Sequence, residues 1–394
     1  MCSALNKWPD ERSEHLLKRI LIMIDWFAPG YRAGGPIQSC VNVALALKED
    51  FSIYVLTTDT DLGESEPYSG IVPNVWTTTI DPAVNVFYIR KREIGYRQIK
   101  SVIEDIKPDF LYLNSMYSLF FVQMPIWMKI TGQIKSKIIL CPRGALYDSA
   151  LSVKRYKKLP FLRLWRMLGI DKTITFHATN ERESMSIYQN FPNSEIVVAG
   201  NFPSMRQKDF MSCFKQKGVL NLLYISRIHP IKNLLLVISA LEKVKSKVSL
   251  SIIGPTEELE YWENCKRALA KLPDNITWTF EGPIESSKLP EFLLANHLYI
   301  LPTKGENFGH TIFEAFVAGR PVLISDQTPW LGLQKEGVGW DLPLSNEEAF
   351  SASIDFAAGW SQDEFDAYAR ASWSYAAKYV REIGLKQQYF ELFS

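Results

Sequence analysis

Residues 298–325 read LYILPTKGENFGHTIFEAFVAGRPVLIS, and this stretch decides the fold. Its pattern predicts a strand over 298–301, a helix over 311–318 and a second strand over 321–324. The strands are continuously apolar rather than alternating, as in a sheet covered by helices on both faces. The loop between strand and helix therefore lies at a strand's C-terminal edge. Gly305 and Gly309 allow backbone close to a ligand, and free amides at the helix start can face an anion or sugar hydroxyls. Glu306 lies in the loop and Glu314 more than two turns later. One can accept bonds from sugar hydroxyls and the other from ribose hydroxyls. The plain alternative is a solvent-facing Glu306 and a Glu314 on the helix surface.

The same grammar extends outward. Upstream, strands are expected over 220–225, 248–253 and 276–280, with helices over 233–244, 257–272 and 288–296. Downstream, 363–393 reads as two or three helices broken at Gly384. A first α/β series precedes these. It has strands over 20–25, 51–57, 84–89, 110–114, 137–141, 173–178 and 195–198. Helices are expected over 37–47, 96–106 and 119–130, the last despite Pro125. The class is α/β, with two facing Rossmann-like domains and a cleft between them. The expected divisions are an extension over 1–18, a first domain over 19–200, a linker over 201–217, a second domain over 218–373, and helices over 374–394 that return to the first domain. A chain of 394 residues suits two domains.

Charge is uneven. Residues 1–210 carry 26 Lys and Arg against 21 Asp and Glu, whereas the remainder is acidic overall. Residues 128–172 hold 11 basic and 2 acidic residues, a patch suited to an anionic partner. In it, Lys154, Arg155, Lys157, Lys158, Arg163 and Arg166 interleave with Phe161, Leu164, Trp165 and Met167. That mixture suits an anionic membrane surface, with a solvated helix as the bland account. The second half is not basic, which argues against nucleic acid. The five cysteines are scattered without a CxxC pair, so neither zinc nor a disulfide framework is implied. The polar start is unlike a signal peptide, and no apolar run reaches 18 residues. A cytoplasmic protein is expected, peripheral on the cytoplasmic face of the inner membrane if the basic region 154–172 docks there.

Two further stretches carry chemistry. Ser226-Arg227-Ile228-His229-Pro230-Ile231-Lys232 follows a strand and precedes a helix. Arg227 can fork onto phosphate oxygens and Lys232 can supply a point charge. Surface basic residues are the alternative. The loop Gly30–Gly35 precedes a helix, where the amides of Gly34 and Gly35 can approach a diphosphate. It is neither GxGxxG nor a P-loop, and a tight turn explains it equally. Asp59-Thr60-Asp61 has Asp-x-Asp spacing but reads as a loop tip, so no metal is assigned. His177 can line the cleft or serve structure. Asp25 can meet an acceptor hydroxyl, and Arg143 an acceptor phosphate.

Taken together, these stretches resemble family 4 of the retaining glycosyltransferases, which have the GT-B fold, and within it a bacterial surface-polysaccharide subgroup. The resemblance spans roughly 20–390 and rests on the Trp26–Pro36 loop, Ser226-Arg227 with Lys232, Glu306 and Glu314 at the family's paired-glutamate spacing, and Thr328-Pro329-Trp330. It implies that Gly34 and Gly35 face the donor diphosphate and acceptor, and that Arg227 and Lys232 stabilise the leaving diphosphate. Glu306 would contact the donor sugar, aided by the amides of Asn307, Phe308 and Gly309. Glu314 would contact ribose, and Gly282 would lie near the base. No metal or other cofactor is expected. The donor would be a UDP- or GDP-linked sugar and the acceptor a lipid-linked saccharide. Many relatives have a histidine in the middle of the first domain. Here Pro142-Arg143-Gly144 stands in that place, leaving Arg143 or His177 as its replacement. Two other functions remain open: a nucleotide-sugar epimerase of the same fold, and a non-catalytic nucleotide-sugar-binding subunit.

Overall fold

A computed structural model describes residues 17–152, 154–204 and 209–394. Residues 1–16 of the expected extension and 205–208 of the expected linker lie outside the described residues. The first sheet contains β1 (Arg19–Met23), β2 (Ser52–Thr58), β3 (Trp76–Thr77), β4 (Val84–Ile89), β5 (Phe110–Asn114), β6 (Lys137–Cys141), β7 (Thr175–Ala178) and β8 (Glu195–Val198). Its order is β3-β4-β2-β1-β5-β6-β7-β8, parallel except for the β3–β4 pair. The second sheet contains β9 (Val219–Ile225), β10 (Lys247–Ile253), β11 (Ile276–Gly282), β12 (Leu298–Leu301), β13 (Val322–Ser325) and β14 (Gly339–Leu342). It is wholly parallel, in the order β11-β10-β9-β12-β13-β14.

The continuous apolar strands have a direct physical cause. In β1, Ile20 and Ile22 join a core with Val43, Leu47 and Phe393 on one face of the sheet. Leu21 and Met23 join another core with Ile99, Ile126 and Trp165 on the other face. Both faces are covered, so strand positions are apolar unless a buried polar side chain such as Asn114 or His177 finds hydrogen-bond partners. Each sheet reverses direction once, between β1 and β5 in the first and between β9 and β12 in the second. Crevices open beyond the strand ends at such reversals.

Three expectations change. The stretch 119–130 is not one helix: a π-helical turn covers Leu119–Gln123, and an α-helix follows over Met124–Ile130 with Pro125 in its first turn. Proline there needs no N–H partner, so it begins a helix instead of interrupting one. The division expected at 373 falls inside one continuous helix, Gln362–Glu382, whose Phe365, Ala369 and Ala376 pack in the second core. The chain returns to the first domain at Ile383, and after Gly384 helix Leu385–Leu392 inserts Leu385, Tyr389 and Leu392 into the first core. Finally, the described parts of the expected linker are docked rather than free: Asn201 and Phe202 bond to Arg143 and Asn42 of the first domain, and residues from Phe210 onward pack on the second. Phe210 meets Trp373, and Lys215 Nζ donates to the Ala358 and Trp360 carbonyls.

Candidate active site

The two reversals face each other across a cleft of about 510 Å³. From the first domain it is lined by Asp25, Trp26, Gly34, Gly35, Ser39 and Arg143, among others. From the second come Arg227, Lys232 and the loop Gly305–Thr311.

The second-domain half is built by two loops that hold each other. Lys304 N–H donates to the Ile231 carbonyl at 2.7 Å, and Glu306 N–H to the Gln327 carbonyl at 3.1 Å. Trp330 Nε1 donates to the Phe308 carbonyl at 2.5 Å, and its ring packs on Phe308 and Tyr379. The Thr328–Trp330 segment is thus the buried brace of the loop. Gly309 has φ 78°, and a Cβ there would come within 2.7 Å of Ile312, so the turn into helix His310–Val317 requires glycine. Lys232 Nζ lies 2.5 Å from Glu306 Oε2, with both side chains largely buried. Arg227 lines the cleft and pairs with Glu257 at 2.5 Å, both about one third exposed. This half presents two cations and a helix start to the same space, which is chemistry for an anion.

The first-domain half is fixed by buried polar contacts. Gly34 has φ 70° and precedes the helix Gly35–Leu47. Asp61 Oδ2 accepts the N–H groups of Tyr31 and Arg32, at 2.9 and 3.2 Å. The Asp61 carboxylate is therefore a buried brace of the glycine loop, while Asp59 Oδ1 accepts from Lys91 N–H, so the pair is not a loop tip. Asp25 accepts a hydrogen bond from Ser118 at 2.8 Å. These residues follow β1 and β5, the strands that flank the reversal. Burial raises the Asp25 carboxyl above the usual range, against the Ser118 hydrogen bond that lowers it.

Arg143 lines the cleft and is locked in place. Its guanidinium donates to Asn114 Oδ1 at 2.9 and 3.1 Å, Asn201 Oδ1 at 2.6 Å and Tyr112 Oη at 3.0 Å. The neighbouring Gly144 N–H donates to Glu183, a buried carboxylate that also accepts from Thr179. His177 is not brought to the cleft. It is fully buried, with Nε2 donating to the Ala199 carbonyl at 2.7 Å and Nδ1 accepting from Tyr112 at 2.8 Å. Burial, then the Arg143 cation, pushes it down to about 3. Both ring nitrogens are engaged, so it serves structure and holds Tyr112 for Arg143. Of the two first-domain candidates, only Arg143 reaches the cleft.

Two other expected ligand contacts also fall outside the cleft lining. Glu314 borders a separate small cavity with Ser204, Ser286, Pro290, Leu293, Val317 and Ala318. Gly282 ends β11 with φ 69°, and its carbonyl accepts from Gly254 N–H at 2.8 Å. Among the described residues, no group of three or more His, Cys, Asp or Glu is placed to hold a metal ion.

The sequence reading missed the contacts that cross the cleft. Ser39 Oγ meets His310 Nε2 at 2.7 Å. Asn307 accepts from Tyr147 at 2.9 Å and from Asn180 at 2.9 and 3.1 Å. Asn307 is expected from the resemblance only as a backbone amide beside the donor sugar; nothing in the sequence pairs its side chain with Tyr147 or Asn180.

Two Rossmann-like domains, joined by one cleft at facing sheet reversals, define the GT-B architecture of glycosyltransferases. Residues 205–375 match the family "Glycosyl transferases group 1". That match takes in the second domain and the linker before it, less than half of the chain, and the chain as a whole has the GT-B fold. Similar solved structures cover nearly its whole length. A sucrose-phosphate synthase from Thermosynechococcus elongatus aligns with TM-score 0.70 and 15% identity, over 95% of this chain and 99% of that one. Anabaena HepE, in complex with UDP and glucose, aligns with TM-score 0.67 and 14% identity over the same shares. WaaG, described as a glycosyltransferase involved in lipopolysaccharide biosynthesis, aligns with TM-score 0.63 and 12% identity, over 95% of this chain and 98% of that one. A curated relative is an uncharacterized 41.2 kDa protein in the cps region of Klebsiella pneumoniae, 21% identical over 228 residues. That match covers 56% of this chain and 61% of the relative, less than two thirds of its length.

Proposed function

We propose that the chain is a retaining glycosyltransferase that moves a hexose or related sugar from a UDP- or GDP-linked donor to a lipid-linked glycan acceptor in polysaccharide biosynthesis. The observation that carries this reading is the Lys232–Glu306 pair beside Arg227, at the second sheet's reversal. In the reaction, the bond between the sugar's anomeric carbon and the diphosphate breaks. Negative charge grows on the diphosphate, and Arg227 and Lys232 are positioned to stabilise it. Glu306 accepts from sugar hydroxyls. The acceptor oxygen attacks from the face the diphosphate leaves, and its proton passes to a diphosphate oxygen. Gly34, Gly35 and the amides of Asn307, Phe308 and Gly309 approach the donor without side chains in the way. Arg143 adds a fixed positive charge on the first-domain side. Glu314, at the separate small cavity, and Gly282, at the end of β11, would meet ribose and base only where the nucleotide extends beyond the cleft lining.

The UDP bound by HepE supports a uridine donor. The Klebsiella relative's cps setting and WaaG's role in lipopolysaccharide support a surface glycan as product. The acceptor's lipid is supported by helix Arg155–Met167. It carries Arg155, Lys157, Lys158, Arg163 and Arg166, with Tyr156 72% and Met167 83% exposed, and Leu168 beyond it 63% exposed. Ala150, just before this helix, lines the cleft, so a membrane contacted there lies close to the catalytic space. No helix of the described residues is long and apolar enough to cross a membrane. A thermal-shift screen of UDP- and GDP-sugars tests the donor. A sugar that stabilises the chain and is transferred to lipid extract with retained anomeric configuration supports the proposal. Stabilisation by none of them contradicts it.

A further inference from the structure

We propose that Asn307 is a positioning residue that fixes the acceptor half of the cleft against the donor half; the inference rests on the transferase reading above. The loop that bears it is anchored to its own domain at Glu306 N–H and at the Phe308 carbonyl. Between these anchors the Asn307 side chain projects into the first domain. Its Oδ1 accepts from Tyr147 Oη at 2.9 Å and Asn180 Nδ2 at 3.1 Å, and its carbonyl accepts from Asn180 Nδ2 at 2.9 Å. Thr179 Oγ1 stands 2.8 Å from the same Oδ1, and its single proton is shared with Glu183 at 2.7 Å. Tyr147 follows β6, while Thr179 and Asn180 follow β7, so two first-domain loops converge on one side chain of the second domain.

The donor cations Arg227 and Lys232 and the carboxylate of Glu306 all belong to the second domain. Nucleotide affinity therefore does not need the Asn307 contacts. The reaction does, because the acceptor's oxygen must reach the anomeric carbon within a few tenths of an ångström, and a misplacement of about 1 Å can cost roughly 10²-fold in rate. Asn307 adjoins Glu306, so the first domain is registered directly on the loop that holds the donor sugar.

The test uses the full-length chain as wild type, Asn307→Ala, Tyr147→Phe and the double variant. Solution scattering without ligand gives the radius of gyration, calorimetry with UDP gives Kd, and UDP release from a set of UDP-hexoses gives kcat and KM. Asn307→Ala is expected to enlarge the radius of gyration and lower kcat about 10²-fold, with Kd for UDP within twofold of wild type. Tyr147→Phe is expected to act in the same direction and to add little in the Asn307→Ala background. Superimposable scattering for all four proteins overturns the inference, as do fully additive losses. Scattering decides even where no UDP-hexose is turned over, so failure of the donor reading remains distinct from failure of this one.

Discussion

Lys232 and Glu306 form an ion pair of 2.5 Å between the loops that follow β9 and β12, the two strands flanking the second sheet's reversal. The side chains are only 12% and 18% exposed, so the pair is shielded yet opens onto the cleft. Removing either member leaves the other charge poorly solvated. Lys232→Ala and Glu306→Gln are each expected to lower kcat by about 10²–10³-fold. Steady-state turnover of the donor sugar checks this, and rates within threefold of wild type would contradict it.

Arg227 pairs with Glu257, and both are about one third exposed. A phosphate must compete with that carboxylate for the guanidinium. Glu257→Gln is therefore expected to tighten UDP binding a few-fold, in keeping with the roughly 0–1 kcal/mol of an exposed pair. Arg227→Ala is expected to weaken it. Calorimetric titration with UDP reads both.

The C-terminal segment is part of the first domain's core. Phe393 is 1% exposed and touches the rings of Phe51, Phe110 and Tyr112, at 5.7, 5.4 and 5.7 Å. Phe393→Ala is expected to cost about 3–5 kcal/mol. Urea denaturation measures it, and a loss below 1 kcal/mol would show that the helix is merely apposed.

Two buried histidines set an acid limit. Burial pushes His177 down to about 3 and His297 down to about 4. Above pH 6.5 both are neutral, folded or unfolded, and their contribution to stability is intact. As pH falls below 6.5 the unfolded chain takes up protons that the folded chain refuses, so stability declines. At pH 5 the loss is roughly 2 kcal/mol for each. Melting temperature followed from pH 7 to pH 4.5 is expected to fall, and less steeply in His177→Gln.

Helix Arg155–Met167 is expected to bind anionic bilayers. Arg163→Glu with Arg166→Glu should reduce co-sedimentation with phosphatidylglycerol vesicles by tenfold or more, at about 1 kcal/mol per cation near the surface. Sedimentation unchanged by these substitutions would count against membrane docking.

Much of this fold is legible along the chain, because strands buried on both faces leave uninterrupted apolar runs such as Leu298–Leu301. The cleft's loops are legible for a related reason: glycine and charged residues interrupt those runs at the strand ends. The helicity expected across Pro125 is present, since proline is accommodated in a first helical turn, but no residue pattern marks the π-helical turn Leu119–Gln123 before it. His177 is ambiguous in one dimension. Its fate is set by Tyr112 and the Ala199 carbonyl, 65 and 22 positions away. The cross-cleft contacts of Asn307 reach residues 127 to 160 positions distant, and no periodicity encodes a pairing across two separately folded sheets.

Arg227 and Lys232 are expected to receive the donor's diphosphate, and a crystal structure with UDP bound decides whether they do. Both phosphates are expected in the cleft, with Arg227 released from Glu257 and, together with Lys232, within hydrogen-bonding distance of phosphate oxygens. UDP bound elsewhere, with Arg227 still on Glu257 and Lys232 touching no phosphate, would contradict it.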